Sequence, residues 1–441
     1  LHHVFRLFCN FDTENNIYMS LMMEKTNKTI LLGIAILTLG VMSCNKNVYD
    51  EDLHEELIRY LSPVDSVDQR HEWLLTSTRT YSLSIDAGSD IKKAMLLTGN
   101  PLTDRTAEIM TQQEVGKSKN ITISASVPYL LTTLYAALVD GEGNYYVTSL
   151  SSDDTNVSFA DASAGTPLAA PTPLTFTYIF EENFPEAGDY DYNDLVLRIS
   201  QERTGEREVT FRVTLAAVGS FRQIACAIRL IGYRFQDIDS VSTPDERTFN
   251  DYVPDTHFNL IDSRDMLIQG RNREAVLNIF AHAHFATGDD LKEDYGLYDK
   301  KKYNVTEEYT DETPTIPVTT KTFVVYFKKS TGLNSLTLDM IDPFIITEYN
   351  GSKMETHLDI YRDAQTLYEY NVPKFKDLPW ALCIPSRYFS YPLEGCEIGF
   401  KKKGYMFGAY MTKGHSFGEW AEDHRNYHDW YLYPTSNQVW D

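Results

Sequence analysis

The sequence predicts an all-β protein of β-sandwich-like domains, predominantly antiparallel and joined by long loops. Three observations predict it. From Thr78 onward, short runs alternate apolar and polar residues at the period of a half-buried strand. Turn-forming residues such as Asp140-Gly141-Glu142-Gly143-Asn144 separate such runs, a hairpin signal. After residue 72 no long stretch carries apolar residues at helical spacing. Many strands with few helices cover their apolar faces by packing sheet on sheet.

The N-terminal part reads differently. Residues 1–22 fit no part of a targeting signal, and translation is expected to start at Met22 or Met23. Lys25 and Lys28 then precede an uncharged stretch from Ile30 to Met42. As a helix it would span about 20 Å, short of the roughly 30 Å core of a bilayer. A basic start, a short apolar middle and a small-residue end make a cleaved secretory signal. Its end, Val41-Met42-Ser43-Cys44, resembles a bacterial lipobox, so Cys44 is the expected lipidation site and first mature residue. Residues 1–44 are thus read as an upstream extension plus a lipoprotein signal peptide. The partner of the acylated cysteine is outer-membrane lipid. The expected location is the cell outer membrane, lipid-anchored, either surface-exposed or periplasmic. A tether follows over 45–77, with Leu53, Leu57 and Tyr60 at helical spacing. Within it, Asp50-Glu51-Asp52 has two readings: a signal for display on the outer surface, as in Bacteroidetes lipoproteins, or ordinary solvated tether.

Forty Lys and Arg against 63 Asp and Glu give a net charge of −23. That excess argues against nucleic acid and anionic lipid headgroups, which need a positive face, and suits solubility and calcium. Of five cysteines, Cys9 falls in the upstream extension and Cys44 is the lipid acceptor, leaving Cys226, Cys383 and Cys396. A Cys383–Cys396 disulfide would close a short loop worth about 3 kcal/mol if the geometry allows. The odd cysteine argues against a disulfide framework, and no CxxC pair occurs to hold zinc.

Strand patterns begin with Tyr81 to Ile85, Ile121 to Ala125 and Tyr146 to Thr148. Leu131 to Val139 is more continuously apolar and reads as a strand buried on both faces. Residues 78–160 therefore form an expected N-terminal β-domain. The Pro-, Ala- and Ser-rich stretch 161–174 reads as a linker. A second β-domain, 175–441, carries strand patterns at Phe176–Phe180, Leu195–Ile199, Val209–Val218, Ile224–Ile231, Ala275–Phe280, Thr322–Phe327 and Phe344–Thr347.

The chemistry concentrates between Glu181 and Asp194. Asp189, Asp191 and Asn193 alternate and Asp194 follows at once, a spacing of oxygen donors like the start of an EF-hand calcium loop. The segment departs from that loop, since Asp194 stands where glycine is needed and Ser200 where the bidentate Glu belongs. Two carboxylates about 4 Å apart repel by roughly 4 kcal/mol at an effective dielectric near 20, so one is protonated or a hard cation lies between them. Two readings stay open. Either Glu181, Asp189, Asp191, Asn193 and Asp194 hold calcium as a cofactor, or the Asp side chains cap backbone amides in turns.

Phe180-Glu181-Glu182 followed by Gly188-Asp189-Tyr190-Asp191-Tyr192-Asn193-Asp194-Leu195-Val196 resembles the signature of the LruC-domain family of Bacteroidetes lipoproteins, with Glu182 and Tyr192 as mild departures. Asp342-Pro343-Phe344 with Glu355-Thr356-His357-Leu358 is similar to that family's next motif pair. Trp380 to Pro385, Tyr391-Pro392-Leu393-Glu394 and Asp429-Trp430-Tyr431 are similar to its closing segments. Val48-Tyr49-Asp50 and Glu72-Trp73 also fit its Bacteroidetes members. The resemblance covers most of the mature chain. It implies an envelope location and a β-rich, LruC-like domain over 175–441, and brings no established activity.

Weaker signals have bland alternatives. Gly414-His415-Ser416-Phe417-Gly418 matches a nucleophile elbow without the strand–helix core that motif needs. His282 and His284 would share one strand face, but no third metal ligand is evident. Glu355 and His357 also share a face and read as a hydrogen-bonded pair fixing a loop. The sequence thus leads to a non-catalytic surface binding or adhesion-like module, whose ligand would be a glycan or a surface protein. The alternative is a glycan-binding accessory lipoprotein of a polysaccharide-uptake system, using exposed aromatics among Trp380, Trp420 and Trp430.

Overall fold

The computed structural model describes residues 62–440 apart from 86–89, 117–119, 152, 185–187, 254–258, 288–301, 307–317, 331–336, 338–339, 373–377 and 404. The upstream extension, the signal segment, Cys44 and the tether as far as residue 61 lie outside the described residues. The fold is all-β, with mainly antiparallel sheets.

The first region supplies β1 (Thr76–Ser84), β2 (Ile91–Leu97), β3 (Glu108–Glu114), β4 (Asn120–Pro128), β5 (Thr133–Asp140), β6 (Tyr145–Ser151), β7 (Asn156–Ser158), β8 (Ala164–Gly165) and β9 (Thr172–Pro173). One sheet has the order β4-β1-β7 and the other β8-β6-β5-β2-β3-β9. Tyr81 and Leu83 of β1 meet Leu96, Leu134 and Leu138 of the second sheet in a shared core. The other face of β5 is also covered, because Ala137 and Val139 join a second cluster with Met95 and Leu97. The β5–β6 turn forms as its sequence dictates: Asp140 Oδ1 accepts the amides of Glu142 and Asn144, each at 2.9 Å, and Gly143 takes a left-handed φ of 84°. The 161–174 stretch runs along the sheet edges, where β8 pairs with β6 and β9 with β3.

The second region supplies β10 (Thr175–Phe180), β11 (Leu195–Gly205), β12 (Glu208–Ala217), β13 (Ala225–Arg234), β14 (Ile238–Ser242), β15 (Leu267–Gln269), β16 (Glu274–Phe280), β17 (Thr319–Phe327), β18 (Ile341–Tyr349), β19 (Ser352–Thr356), β20 (Tyr370–Asn371) and β21 (Ala381–Ile384). They form two six-stranded sheets, β14-β17-β12-β11-β10-β21 and β15-β16-β13-β18-β19-β20. Alternation decides which side chains meet: Phe176, Tyr178 and Phe180 of β10 and Phe211 of β12 pack against Ile228 of β13 and Leu277 of β16. The intervening Ile179, with Val196 of β11 and Leu382 of β21, points to the opposite side. A C-terminal cap covers that side: β22 (Tyr391–Pro392), β23 (Phe400–Lys402), β24 (Tyr405–Phe407), a short helix α2 (Phe417–Glu422) and β25 (Val439–Trp440). Its core is aromatic. Trp420 and Trp430 stack at 5.6 Å between centroids, and Phe417 meets Trp430 edge-on at 5.1 Å. The arm from Ser62 to Leu75 packs into the same core through Val64, Trp73 and Leu75.

Cys383 and Cys396 do not pair. Both are free thiols, Cys383 in the sandwich core and Cys396 against the cap core on the other face of the sheet.

Candidate metal centre

Phe180 at the end of β10 pairs with Leu195 at the start of β11. Residues 181–194 therefore leave and re-enter the sheet at neighbouring positions, as a loop closed at its neck. Two bonds close it: Glu181 N donates to Trp380 O at 2.9 Å, and Glu182 N donates to Asp194 Oδ2 at 2.8 Å.

Within the loop, Tyr190 and Tyr192 adopt left-handed φ angles of 59° and 54°. Bulky residues are strained there, and surrounding structure must hold them. Both rings are buried in the cap core, and the Tyr192 hydroxyl donates to Pro379 O at 2.6 Å. The two left-handed residues curl the chain so that Asp189 and Asp191 come round to Glu181. One carboxylate oxygen from each of Glu181, Asp189 and Asp191 lies within 4.8 Å of the others. Glu181 and Asp191 are buried and Asp189 is exposed, so the trio has one open side.

Backbone amides orient the carboxylates. Tyr192 N donates to Glu181 Oε1 at 2.6 Å, and Asn183 Nδ2 to Glu181 Oε2 at 3.3 Å. Asp191 accepts Asn193 N at 3.1 Å and, from the cap, Gly395 N at 2.7 Å. A Cβ on Gly188 would lie 2.0 Å from Glu181 Oε2, so any side chain there would push that carboxylate away from its place in the trio.

Positive groups flank the trio. Arg222 Nε lies 3.3 Å from Glu182 Oε2, the Ser220 hydroxyl donates to Glu182, and Lys302 pairs with Glu394. Among the described residues no basic side chain bonds Glu181, Asp189 or Asp191. Burial, and then the Asp189 charge, push Glu181 up to about 8. Burial and neighbouring carboxylates also hold Asp191 and Asp194 well above the usual range, and burial raises Glu182 and Glu394. The donors are all hard oxygens, which fits calcium rather than a soft metal.

Of the five residues predicted from spacing, three converge. Asp194 instead closes the neck, and Asn193 donates from Nδ2 to Pro392 O at 3.1 Å. Ser220, Arg222, Lys302, Glu394 and Gly395 were invisible to the spacing argument because distant strands and the cap bring them in. Gly188 was readable, as the glycine beside the first Asp.

Other expectations meet clear outcomes. His282 and His284 do not share a strand face: β16 ends at Phe280, His282 precedes a short helix α1 (Ala283–Ala286), and His284 lies inside it. Glu355 and His357 do form a pair fixing a loop. His357 Nε2 is 3.2 Å from Glu355 Oε2 and Nδ1 is 2.8 Å from Asp342 Oδ2, while Glu355 accepts the amides of Thr366, Leu367 and Tyr368. Ser416 caps α2: its Oγ accepts Glu419 N at 3.2 Å and donates to Glu419 Oε2 at 2.9 Å. Trp420 and Trp430 are fully buried, so neither can stack on a glycan.

A family model for a domain of unknown function, DUF4842, matches residues 207–431, just over half of the chain. The chain belongs to the DUF4842 family. The DUF4842 match takes in Ser220, Arg222, Lys302, Glu394 and most of the cap, whereas the 181–194 loop lies before it. A crystal structure of a protein from Bacteroides ovatus, described as a candidate lipoprotein, is similar at a TM-score of 0.47 and 14% identity, over 80% of this chain and 99% of that one. Comparison with curated proteins finds no match.

Proposed function

We propose that the chain is an exported, lipid-anchored envelope protein of a Bacteroidetes-type bacterium, a non-catalytic binding or adhesion-like β-module whose 181–194 loop is held by calcium. The observation that carries the calcium reading is the convergence of Glu181, Asp189 and Asp191, with oxygens within 4.8 Å and, among the described residues, basic groups at the flanks rather than on the trio. A divalent cation there offsets the repulsion that otherwise requires protons on buried carboxylates. Asp189, on the open side, leaves room for water or a ligand oxygen to complete the six to eight donors calcium takes. The lipid-anchor reading rests on the lipobox-like residues before Cys44, and the likeness of 180–196 to the LruC signature supports the same envelope location.

Thermal melts in calcium and in chelator test the metal. The melting temperature should rise with calcium and fall with chelator, and the response should vanish when Asp189 and Asp191 both become Ala. An unresponsive wild-type melt would remove calcium from the proposal. Metabolic labelling with a fatty acid tests the anchor, with Cys44→Ser expected to abolish the label.

A further inference from the structure

Where the Ser62–Leu75 arm meets the end of α2, a second cluster gathers that the carboxylate loop does not involve. Asp68 from the arm and Asp423 and His424 from the cap each present one ligand atom, all within 4.8 Å of one another. His424 Nδ1 is 2.5 Å from Asp68 Oδ2. Two further imidazoles crowd the junction: the His71 ring lies 6.2 Å from that of His424, and His428 Nε2 is 3.1 Å from the His424 carbonyl. His71 stays outside the cluster because backbone holds both its nitrogens, Trp420 O at Nε2 and Trp73 N at Nδ1. The bond at His424 Nδ1 is instead to Asp68 within the cluster, and a metal would replace it.

We propose that Asp68, Asp423 and His424 form a site for a divalent transition metal of the zinc class. An imidazole with two carboxylates is borderline-soft chemistry, unlike the all-oxygen loop at 181–194. Two carboxylates and a neutral imidazole sum to −2, which a divalent ion neutralises. The Arg70 guanidinium now supplies part of that charge, with Nε 3.0 Å from Asp68 Oδ1 and Nη2 2.9 Å from Oδ2. Its side chain is 64% exposed, so water can take over both bonds when a metal displaces it. Asp423 keeps its geometry through Arg425 N at 3.1 Å and Asn426 Nδ2 at 2.7 Å, each leaving a lone pair on the oxygen it engages. A bound ion would staple the N-terminal arm to the cap across the whole sequence. Arg70 is thus a built-in competitor for Asp68.

Titration calorimetry with zinc, and the visible spectrum of the cobalt-substituted protein, test the site. One zinc per chain should bind, and His424→Ala and Asp423→Asn should each weaken it by more than the roughly 10–100-fold that loss of an outer-shell partner costs. Arg70→Ala should tighten binding by up to about fivefold, the release of one exposed ion pair. A purely structural ion pair predicts no such gain, so equal or weaker binding in that variant overturns Asp68 as a ligand. The double variant with Asp189 and Asp191 as Ala should keep its zinc. Loss of zinc there, or zinc binding that survives both His424→Ala and Asp423→Asn, overturns the site.

Discussion

Removing the Glu355 carboxylate should cost more stability than any exposed substitution in the chain, for a reason visible in its bonds. Glu355 is 1% exposed and accepts three successive amides, from Thr366 at 2.7 Å, Leu367 at 2.5 Å and Tyr368 at 2.9 Å. It also faces His357, whose other nitrogen meets Asp342, and Arg229 Nη2 lies 2.9 Å from the same Asp342 oxygen. Glu355→Ala orphans one buried and two half-buried donors at about 1 kcal/mol each and leaves the imidazolium short of one partner. Breaking a buried pair on one side costs roughly 3–5 kcal/mol, and the two estimates agree on about 4. Against a typical total of roughly 5–15 kcal/mol this is a large fraction. Urea unfolding should show a lower midpoint with an unchanged slope, and Glu355→Gln, which keeps one acceptor oxygen, should lose about half as much. A Glu355→Ala protein within about 1 kcal/mol of the parent would refute the reasoning, because the loop amides would then be satisfied by water.

Three further outcomes follow from the same bonds. Burial alone would lower the His357 pKa, but Asp342 and Glu355 override it and raise the group to about 9. The stability it contributes is complete below its unfolded value near 6.5 and lost as pH rises through 9, so urea midpoints should fall between pH 8 and 10 and His357→Gln should flatten that decline. Gly188→Ala would drive a methyl into Glu181, so terbium luminescence at the carboxylate loop should weaken while far-ultraviolet dichroism keeps its β signature. Glu181, pushed up to about 8, holds its proton at neutral pH without a cation, so calcium binding at pH 7 should release protons and tighten toward pH 9. Calorimetry in two buffers of different ionisation heat reads that release, and equal heats in both would count against Glu181 as a ligand.

What could be read from the sequence follows burial on one face or two. Strand β1 alternates because only Tyr81 and Leu83 face the core, and its pattern stands out. Strand β2 does not: Ala94 and Leu96 face one cluster while Met95 and Leu97 face another, so alternation disappears in Ile91–Leu97. His282 and His284 mislead in the opposite way, since period two continues past Phe280 where the backbone has already turned into α1. In the carboxylate loop the spacing of Asp189 and Asp191 pointed to convergence. Glu181 was named with them, but the spacing could not show that Glu181, rather than Asn193 or Asp194, completes the trio, because that depends on two left-handed tyrosines that no propensity favours. Nor could it reveal the arm–cap cluster, where Asp68 and His424 lie 356 residues apart.

Those tyrosines also tie the proposed calcium site to the cap. Each left-handed non-glycine residue costs roughly 1–2 kcal/mol, and inside the 181–194 loop the Tyr192 N bond to Glu181 Oε1 offsets only part of that. The rest of the offset comes from burying the Tyr190 and Tyr192 rings against the cap, from Ile398 N donating to Tyr190 O at 2.7 Å, and from Gly395 N holding Asp191. If the cap loosens, the tyrosines relax toward ordinary φ, and Asp189 and Asp191 swing away from Glu181. A cation that needs all three carboxylates therefore binds only the cap-closed form, and by linkage it stabilises the cap as much as the loop. Calcium should accordingly slow amide exchange at residues 395 and 398, on a different part of the chain from its ligands, as strongly as at residue 192.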